Sequence, residues 1–109
     1  MALAPETAWC FANRGLAYAE LGRPERALQD YDQALAIDPN YADAFKGRGL
    51  TYHANGQYDL AIADYNQLLR FDPNSAVAYS NLGAAYSAKG VAPGYSRRYA
   101  SRILSLLVP

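Results

Sequence analysis

Apolar positions in this chain recur at helical spacing, and the fullest instance lies within residues 42–75. Ala61, Ile62, Tyr65, Leu68 and Leu69 fall at i, i+1, i+4, i+7 and i+8, the stripe of an amphipathic helix. Ahead of them Phe45, Gly49 and Tyr52 share one side of another helix, with Arg48 at its edge. Between the two, Ala54-Asn55-Gly56-Gln57 breaks the pattern, and Gly56 suits a left-handed position after a helix C-terminus. Asp72-Pro73-Asn74 ends the second helix, because proline disfavours helical geometry in the residue before it. The pattern predicts helix, turn, helix.

The whole unit is repeated. Laid on residues 42–75 without a gap, residues 8–41 are identical at 15 of 34 positions. The identities include Phe11/Phe45, Gly15/Gly49, Tyr18/Tyr52, Gly22/Gly56, Ala27/Ala61, Tyr31/Tyr65 and Leu35/Leu69, with the Asp-Pro-Asn turn. Tyr79, Gly83, Tyr86 and Gly90 carry the same register into a third copy. A fixed period of this length marks an array in which each unit buries its apolar face against its neighbours. A glycine inside a helix costs roughly 0.5–1 kcal/mol relative to alanine, so its recurrence predicts close approach of a second helix.

These residues resemble the tetratricopeptide repeat (TPR) family, whose 34-residue unit has an aromatic, Gly, Tyr, Ala, an aromatic, Ala and Pro at set spacings. Phe11, Gly15, Tyr18, Ala27, Tyr31, Ala34 and Pro39 match it in the first copy; Phe45, Gly49, Tyr52, Ala61, Tyr65 and Pro73 match it in the second, where Leu68 replaces the later Ala. The resemblance implies an all-α, right-handed solenoid of about three helix hairpins, the third degenerate. It divides a single domain, residues 1–109, into repeats 8–41, 42–75 and 76–109.

In chain order, the expected helices cover about residues 5–21 and 24–37, two in the second repeat, and a fifth to Lys89 capped by Asn74 or Ser75. After Gly90 the pattern fails, and Val91-Ala92-Pro93-Gly94-Tyr95-Ser96 stands where the second repeat has Gln57-Tyr58-Asp59-Leu60-Ala61-Ile62. Tyr99 and Ile103 still keep register with Tyr65 and Leu69. Tyr95, Tyr99, Ile103, Leu106 and Leu107 form a stripe that predicts a sixth helix over about residues 95–108, with Leu104 and Val108 off the stripe. Those two side chains near solvent, and the Pro93-Gly94 hinge, lead to an expected homodimer through Tyr95, Tyr99, Ile103, Leu104, Leu107 and Val108.

Charge and composition narrow the function. The formal net charge is zero, but all ten acids lie at or before Asp72 while Arg97, Arg98 and Arg102 stand in a tail without acids. Residues 1–90 therefore carry seven basic and ten acidic groups, a net of −3, which argues against nucleic acid as a partner. No apolar run approaches the roughly 18 residues of a membrane span, and the N-terminus lacks the pattern of a signal peptide. The single cysteine excludes an intrachain disulfide and favours a reducing, cytoplasmic setting.

Catalytic chemistry finds little footing. Cys10 and His53 are the sole residues of their types, too few for a structural zinc site, and no third residue orients them as a nucleophile pair. Asp30, Asp32 and Asp64 are expected on the solvated outer face of the second helices. The glycines follow packing spacing rather than a phosphate loop, and no cofactor or metal is called for.

The resemblance instead implies a protein or peptide ligand in a concave groove lined by the first helix of each repeat. The positions concerned are Trp9, Asn13, Leu16 and Glu20 in the first repeat, Asp43, Lys46, Leu50 and His53 in the second, and Val77 and Asn81 in the third. Chaperone-binding relatives clamp a C-terminal carboxylate with Lys, Asn and Arg on this face. Ala12, Leu16, Gly47, Val77 and Asn81 occupy the positions concerned, so that clamp is missing and chaperone C-termini are not the expected ligand.

Overall fold

The computed structural model describes residues 5–90, together with 102, 105 and 106. Five helices follow one another: α1 (Pro5–Glu20), α2 (Pro24–Ile37), α3 (Ala42–Ala54), α4 (Tyr58–Phe71) and α5 (Ala76–Lys89). Among the described residues there is no strand.

The turns are built from the residues the repeat conserves internally. Gly22 and Gly56 adopt φ of 74° and 78°, where side chains with a Cβ are strained. The following N–H groups of Arg23 and Gln57 then fold back on the carbonyls of Tyr18 and Tyr52, at 2.9 and 2.8 Å. Asp38 and Asp72 leave the helix in extended geometry. Each carboxylate accepts from the backbone N–H two residues on, Asn40 and Asn74, at 3.1 Å. Ser75 caps α5, its Oγ accepting from the Ala78 N–H at 3.1 Å.

α1 packs along α2 and α3 along α4, giving two helix hairpins. α3 also touches α1, and α5 touches both α3 and α4, whereas α2 and α4 do not meet. First helices that crowd together while second helices splay apart curve the stack, with α1, α3 and α5 on its concave side. The result is an all-α right-handed solenoid of helix hairpins.

Small residues make the crowding possible. Ala8, Ala27, Ala34, Ala44, Ala61, Ala78 and Ala85 are fully buried, and the largest fully buried side chains are Tyr31, Tyr65 and Leu82. A Cβ on Gly15 would lie 3.0 Å from the Tyr31 ring, and one on Gly49 would lie 2.6 Å from the Tyr65 ring. Tyr31 is also closed from the next repeat, because a Cβ on Gly47 would meet its ring at 2.6 Å. Phe45, on the side of its helix shared with Gly49 and Tyr52, is only half-buried, against Phe71 with ring centroids 6.0 Å apart. Ala44, Gly49 and Thr51 are buried instead. α3 has hairpins on both sides, so its burial is two-sided and a single stripe describes half of it.

The aspartates are a correction. Asp30 and Asp64 are buried, at 4% and 3% exposure, not on a solvated outer face. Arg14 holds Asp30 through two hydrogen bonds of 2.8 and 2.7 Å, and Arg48 holds Asp64 through two of 2.9 and 2.8 Å. Only Asp32 is exposed, and it too bonds Arg48 at 2.9 Å, tying α2 of one repeat to α3 of the next. The hydrogen bonds that Arg48 donates to Asp64 raise the Arg48 pKa above its usual value; burial pushes the Asp64 carboxyl up, with Arg48 opposing.

The two buried tyrosines differ in one atom's surroundings. The Tyr31 hydroxyl pairs with Thr51. Thr51 corresponds to Ala85 in the third repeat, and the Tyr65 hydroxyl is buried without a partner. Leaving such a group unpaired costs about 1–3 kcal/mol, so one substitution has opposite signs in the two repeats. Tyr65→Phe is expected to be neutral or stabilising in urea denaturation, and Tyr31→Phe to cost about 1 kcal/mol. Burial also pushes the Tyr65 hydroxyl up to about 12. A raised folded value means stability that is intact below the unfolded pKa of about 10 and lost as pH rises from there through the folded one. Tyr65→Phe removes that share of the alkaline loss.

The expected sixth helix lies largely outside the described residues, as do Tyr95, Tyr99, Ile103, Leu104, Leu107 and Val108. Arg102, Ser105 and Leu106 are helical. Arg102 reaches back to the chain's own turn, donating to Asn74 Oδ1 at 3.0 Å with its guanidinium 5.7 Å from the Tyr79 ring centroid. Arg14 over Phe11 and Arg48 over Phe45 make the equivalent stacks at 5.4 and 5.7 Å. In the third repeat Leu82 replaces that arginine and is buried, and the cation comes from further along the chain.

Candidate functional site

A cleft of about 290 Å³ opens between the first two repeats, near the C-terminal ends of α1 and α3. Leu16 and Ala19 of α1 form one wall, and Leu50, Ala54 and Asn55 of α3 and its cap form the other. Gly22 and Pro24 close the end, and Tyr31, Gly47 and Thr51 make the floor. Each wall exists because of the repeat: Leu16 and Leu50 are equivalent residues, presented side by side by the contact of α1 with α3. They stay 49% and 45% exposed, so a folded chain leaves two leucines open to water beside an apolar recess.

Of the ten groove positions expected from the sequence, this cleft brings together Leu16 and Leu50. Trp9 and Val77 are 58% and 56% exposed, and Asn13, Glu20, Asp43 and Lys46 are exposed as well, but none of them lines the cleft. His53 and Asn81 are half-buried. His53 stands edge-on to Tyr58, with ring centroids 5.2 Å apart, and so is engaged by α4. Ala12 is buried in the core, whereas Gly47 lies in the cleft floor against the Tyr31 ring. Sequence reading passed over Pro24, Thr51 and Asn55. For Pro24 and Asn55 the signal lay in the turn after each first helix, a region the wheel of a single helix does not include; Thr51 lies within α3, on its buried side.

The TPR repeat family matches residues 15–56 and again 49–90. The chain belongs to this family. Solved structures agree. A structure of the first TPR of Spaghetti (RPAP3) bound to the HSP90 peptide SRMEEVD superposes with TM-score 0.88 at 21% identity, covering 98% of this chain and 84% of that one. A crystal structure of MamA protein gives TM-score 0.86 at 28% identity; the match covers 95% of this TPR chain but spans little more than half, 56%, of MamA. The Sgt2 TPR domain from Aspergillus fumigatus gives TM-score 0.83 at 25% identity over 96% of this chain and 68% of that one. No curated protein sequence matches the chain.

Within this TPR array the two junctions differ. Ala19, Pro24 and Gly47, which leave the first cleft open, become His53, Tyr58 and Asn81 at the second. The His53–Tyr58 pair occupies the space that an alanine and a proline leave free one repeat earlier. The remaining surface there is a shallow depression around Gly56, Gln57, Tyr58 and Asp59, where Lys89 pairs with Asp59. Among the described residues no helix is long and apolar enough to cross a membrane, and no three His, Cys, Asp or Glu side chains are grouped as metal ligands.

Proposed function

We propose that this TPR chain is a non-enzymatic protein-interaction scaffold, one domain of three repeats that holds a peptide or helix segment on the concave side of α1, α3 and α5. The observation that carries the proposal is the pair Leu16 and Leu50, half-exposed over an apolar cleft where two repeats meet. A partner that covers such a patch gains about 25 cal/mol for each Å² of apolar surface removed from water. Trp9 and Val77 extend the apolar surface along the same helices, and Asn13, Glu20, Asp43 and Lys46 provide exposed polar contacts beside it. His53 and Asn81 shape the second junction. The exposed Cys10 is in keeping with a reducing, cytoplasmic setting.

The Spaghetti TPR holds a peptide ending in Glu-Glu-Val-Asp. This chain lacks the clamp residues for such a terminus, so its ligand is proposed to be of another kind. The homodimer expected through Tyr95, Tyr99, Ile103, Leu104, Leu107 and Val108 rests on residues outside the described ones and stands as a second, separate expectation; the described Arg102 engages the chain's own Asn74 and Tyr79.

Leu50→Glu tests the scaffold. With Leu50 45% exposed, the folded state is expected to change by less than about 1 kcal/mol, while capture of a partner by the immobilised chain falls at least tenfold. Gln29→Glu, on the exposed side of α2, should alter neither. Equal capture by both variants would place the interaction elsewhere.

A further inference from the structure

The two junctions of this chain are built alike and closed differently. At the second, His53 and Tyr58 stand in the places of Ala19 and Pro24, half-buried and edge to face with ring centroids 5.2 Å apart. The chain fills that recess with its own rings. At the first, the same positions carry small residues, and Leu16, Ala19, Pro24, Leu50 and Ala54 leave an apolar opening over Tyr31. No residue lining it is charged. Glu20 follows Ala19 and Arg23 precedes Pro24, both exposed and opposite in sign, so the rim favours neither an anion nor a cation. An ionic side chain entering the cleft would lose water without gaining a counter-ion. The polar groups present are neutral as well. Thr51 donates its hydroxyl proton to the Gly47 carbonyl at 2.9 Å. Asn55 donates one amide hydrogen to Gln57 at 3.2 Å and keeps the other, with its oxygen, for a further group.

We infer that the cleft between α1, α2 and α3 accepts an aromatic side chain from a partner protein, its ring between Leu16 and Leu50 in the place that His53 and Tyr58 fill one repeat later. The uncharged lining complements an uncharged ring. A volume of about 290 Å³ sits at the small end for ligand pockets, room for one large side chain rather than a larger ligand. Aromatic side chains bring a large apolar area with few rotatable bonds, and contact with the Tyr31 ring adds an attraction that an aliphatic side chain lacks. The Asn55 amide, able both to donate and to accept, suits the polar tip of a tyrosine or tryptophan. The inference rests on the scaffold reading and names what the groove recognises.

The test uses the full chain and N-acetyl-tyrosinamide, with the corresponding leucine, lysine and glutamate compounds at matched ionic strength. Amide chemical shifts are followed by NMR. The tyrosine compound is expected to move Ala19, Leu50 and Ala54 saturably, the leucine compound to bind at least threefold more weakly, and the two charged compounds to leave those residues unmoved. The pair Ala19→His and Pro24→Tyr, which supplies the rings of the second junction, should abolish binding; an otherwise unchanged spectrum shows that the variant is folded. Leu16→Ala, which trims a half-exposed wall, should weaken binding several-fold with the fold intact. No saturable binding of the tyrosine compound, equal binding of the leucine or a charged compound, or full binding by the ring-filled variant would overturn the inference. So would shifts at Ala19 and Ala54 that follow protein concentration alone and vanish in Trp9→Ala, since the exposed Trp9 of a second copy would then be the occupant. Where partner capture still falls with Leu50→Glu, those outcomes leave the scaffold reading standing. Saturable binding of the tyrosine compound in a chain whose partner capture survives Leu50→Glu would leave the ring site standing and overturn the scaffold reading alone.

Discussion

Arg48→Met is expected to cost about 3–5 kcal/mol of folding stability, a large part of the 5–15 kcal/mol typical of a single domain. The substitution keeps most of the side chain's apolar bulk and removes both hydrogen bonds to Asp64, leaving a carboxylate 3% exposed without a counter-ion. It also cuts the link to Asp32, but that group is exposed and contributes little. Arg14→Met should cost less, because Arg14 is itself 60% exposed and water can partly replace it. Two further measurements separate charge burial from lost packing. The double variant Arg48→Met with Asp64→Leu should recover most of the loss, since an apolar pair is often as stable as the ion pair it replaces. The penalty of Arg48→Met alone should also shrink as pH falls. Burial already pushes the Asp64 carboxyl up, and without Arg48 opposing it protonation becomes the easier escape. A loss below about 1 kcal/mol at neutral pH, by urea denaturation, would mean the pair is as weak as a surface one.

That ion pair marks the limit of what the sequence revealed. The helices, their order and their turns were legible, because each depends on local signals: Gly22 and Gly56 at left-handed positions, Asp38 and Asp72 at extended ones, Ser75 at a cap. The repeat itself was legible from identity alone. The facing of α2 and α4 was not, since an aspartate on a helix normally goes to water. Arg14/Arg48 and Asp30/Asp64 are each among the identities between repeats, 16 residues apart in both copies. An opposite-charge pair repeated at fixed separation was the available sign that the two groups meet.

The groove was legible as a set of helices and less so as a site. Positions on the first helices follow from the period, but which junction is open depends on residues around the turn. Pro24 against Tyr58, and Ala19 against His53, decide it through side-chain volume at a place where two repeats and a loop converge. No single-helix periodicity contains that information. Gly47 shows the same limitation, since its neighbour Tyr31 comes from the preceding repeat.

Gly47→Asn converts the first junction to the residue found at the second, where Asn81 stands. On helix propensity alone the change should help, because asparagine is a better helix residue than glycine by a few tenths of a kcal/mol. Packing opposes it more strongly. A Cβ at Gly47 falls 2.6 Å from the Tyr31 ring and 2.7 Å from its hydroxyl, and Tyr31 is 2% exposed with Gly15 closing its other side. The ring has nowhere to go, so α3 must back away from the first hairpin. A net loss of about 1–3 kcal/mol is expected, the usual cost of overpacking. The same shift parts Leu16 from Leu50, and binding at the cleft should fall with it. Gly56→Asn is the control, because nothing lies within 4 Å of its Cβ position and asparagine tolerates a φ of 78°. It should cost a few tenths of a kcal/mol and leave the cleft intact. If Gly47→Asn were as mild as Gly56→Asn in both stability and binding, the spacing of the first junction would not depend on the glycine, and the cleft would owe its opening to Ala19 and Pro24 alone.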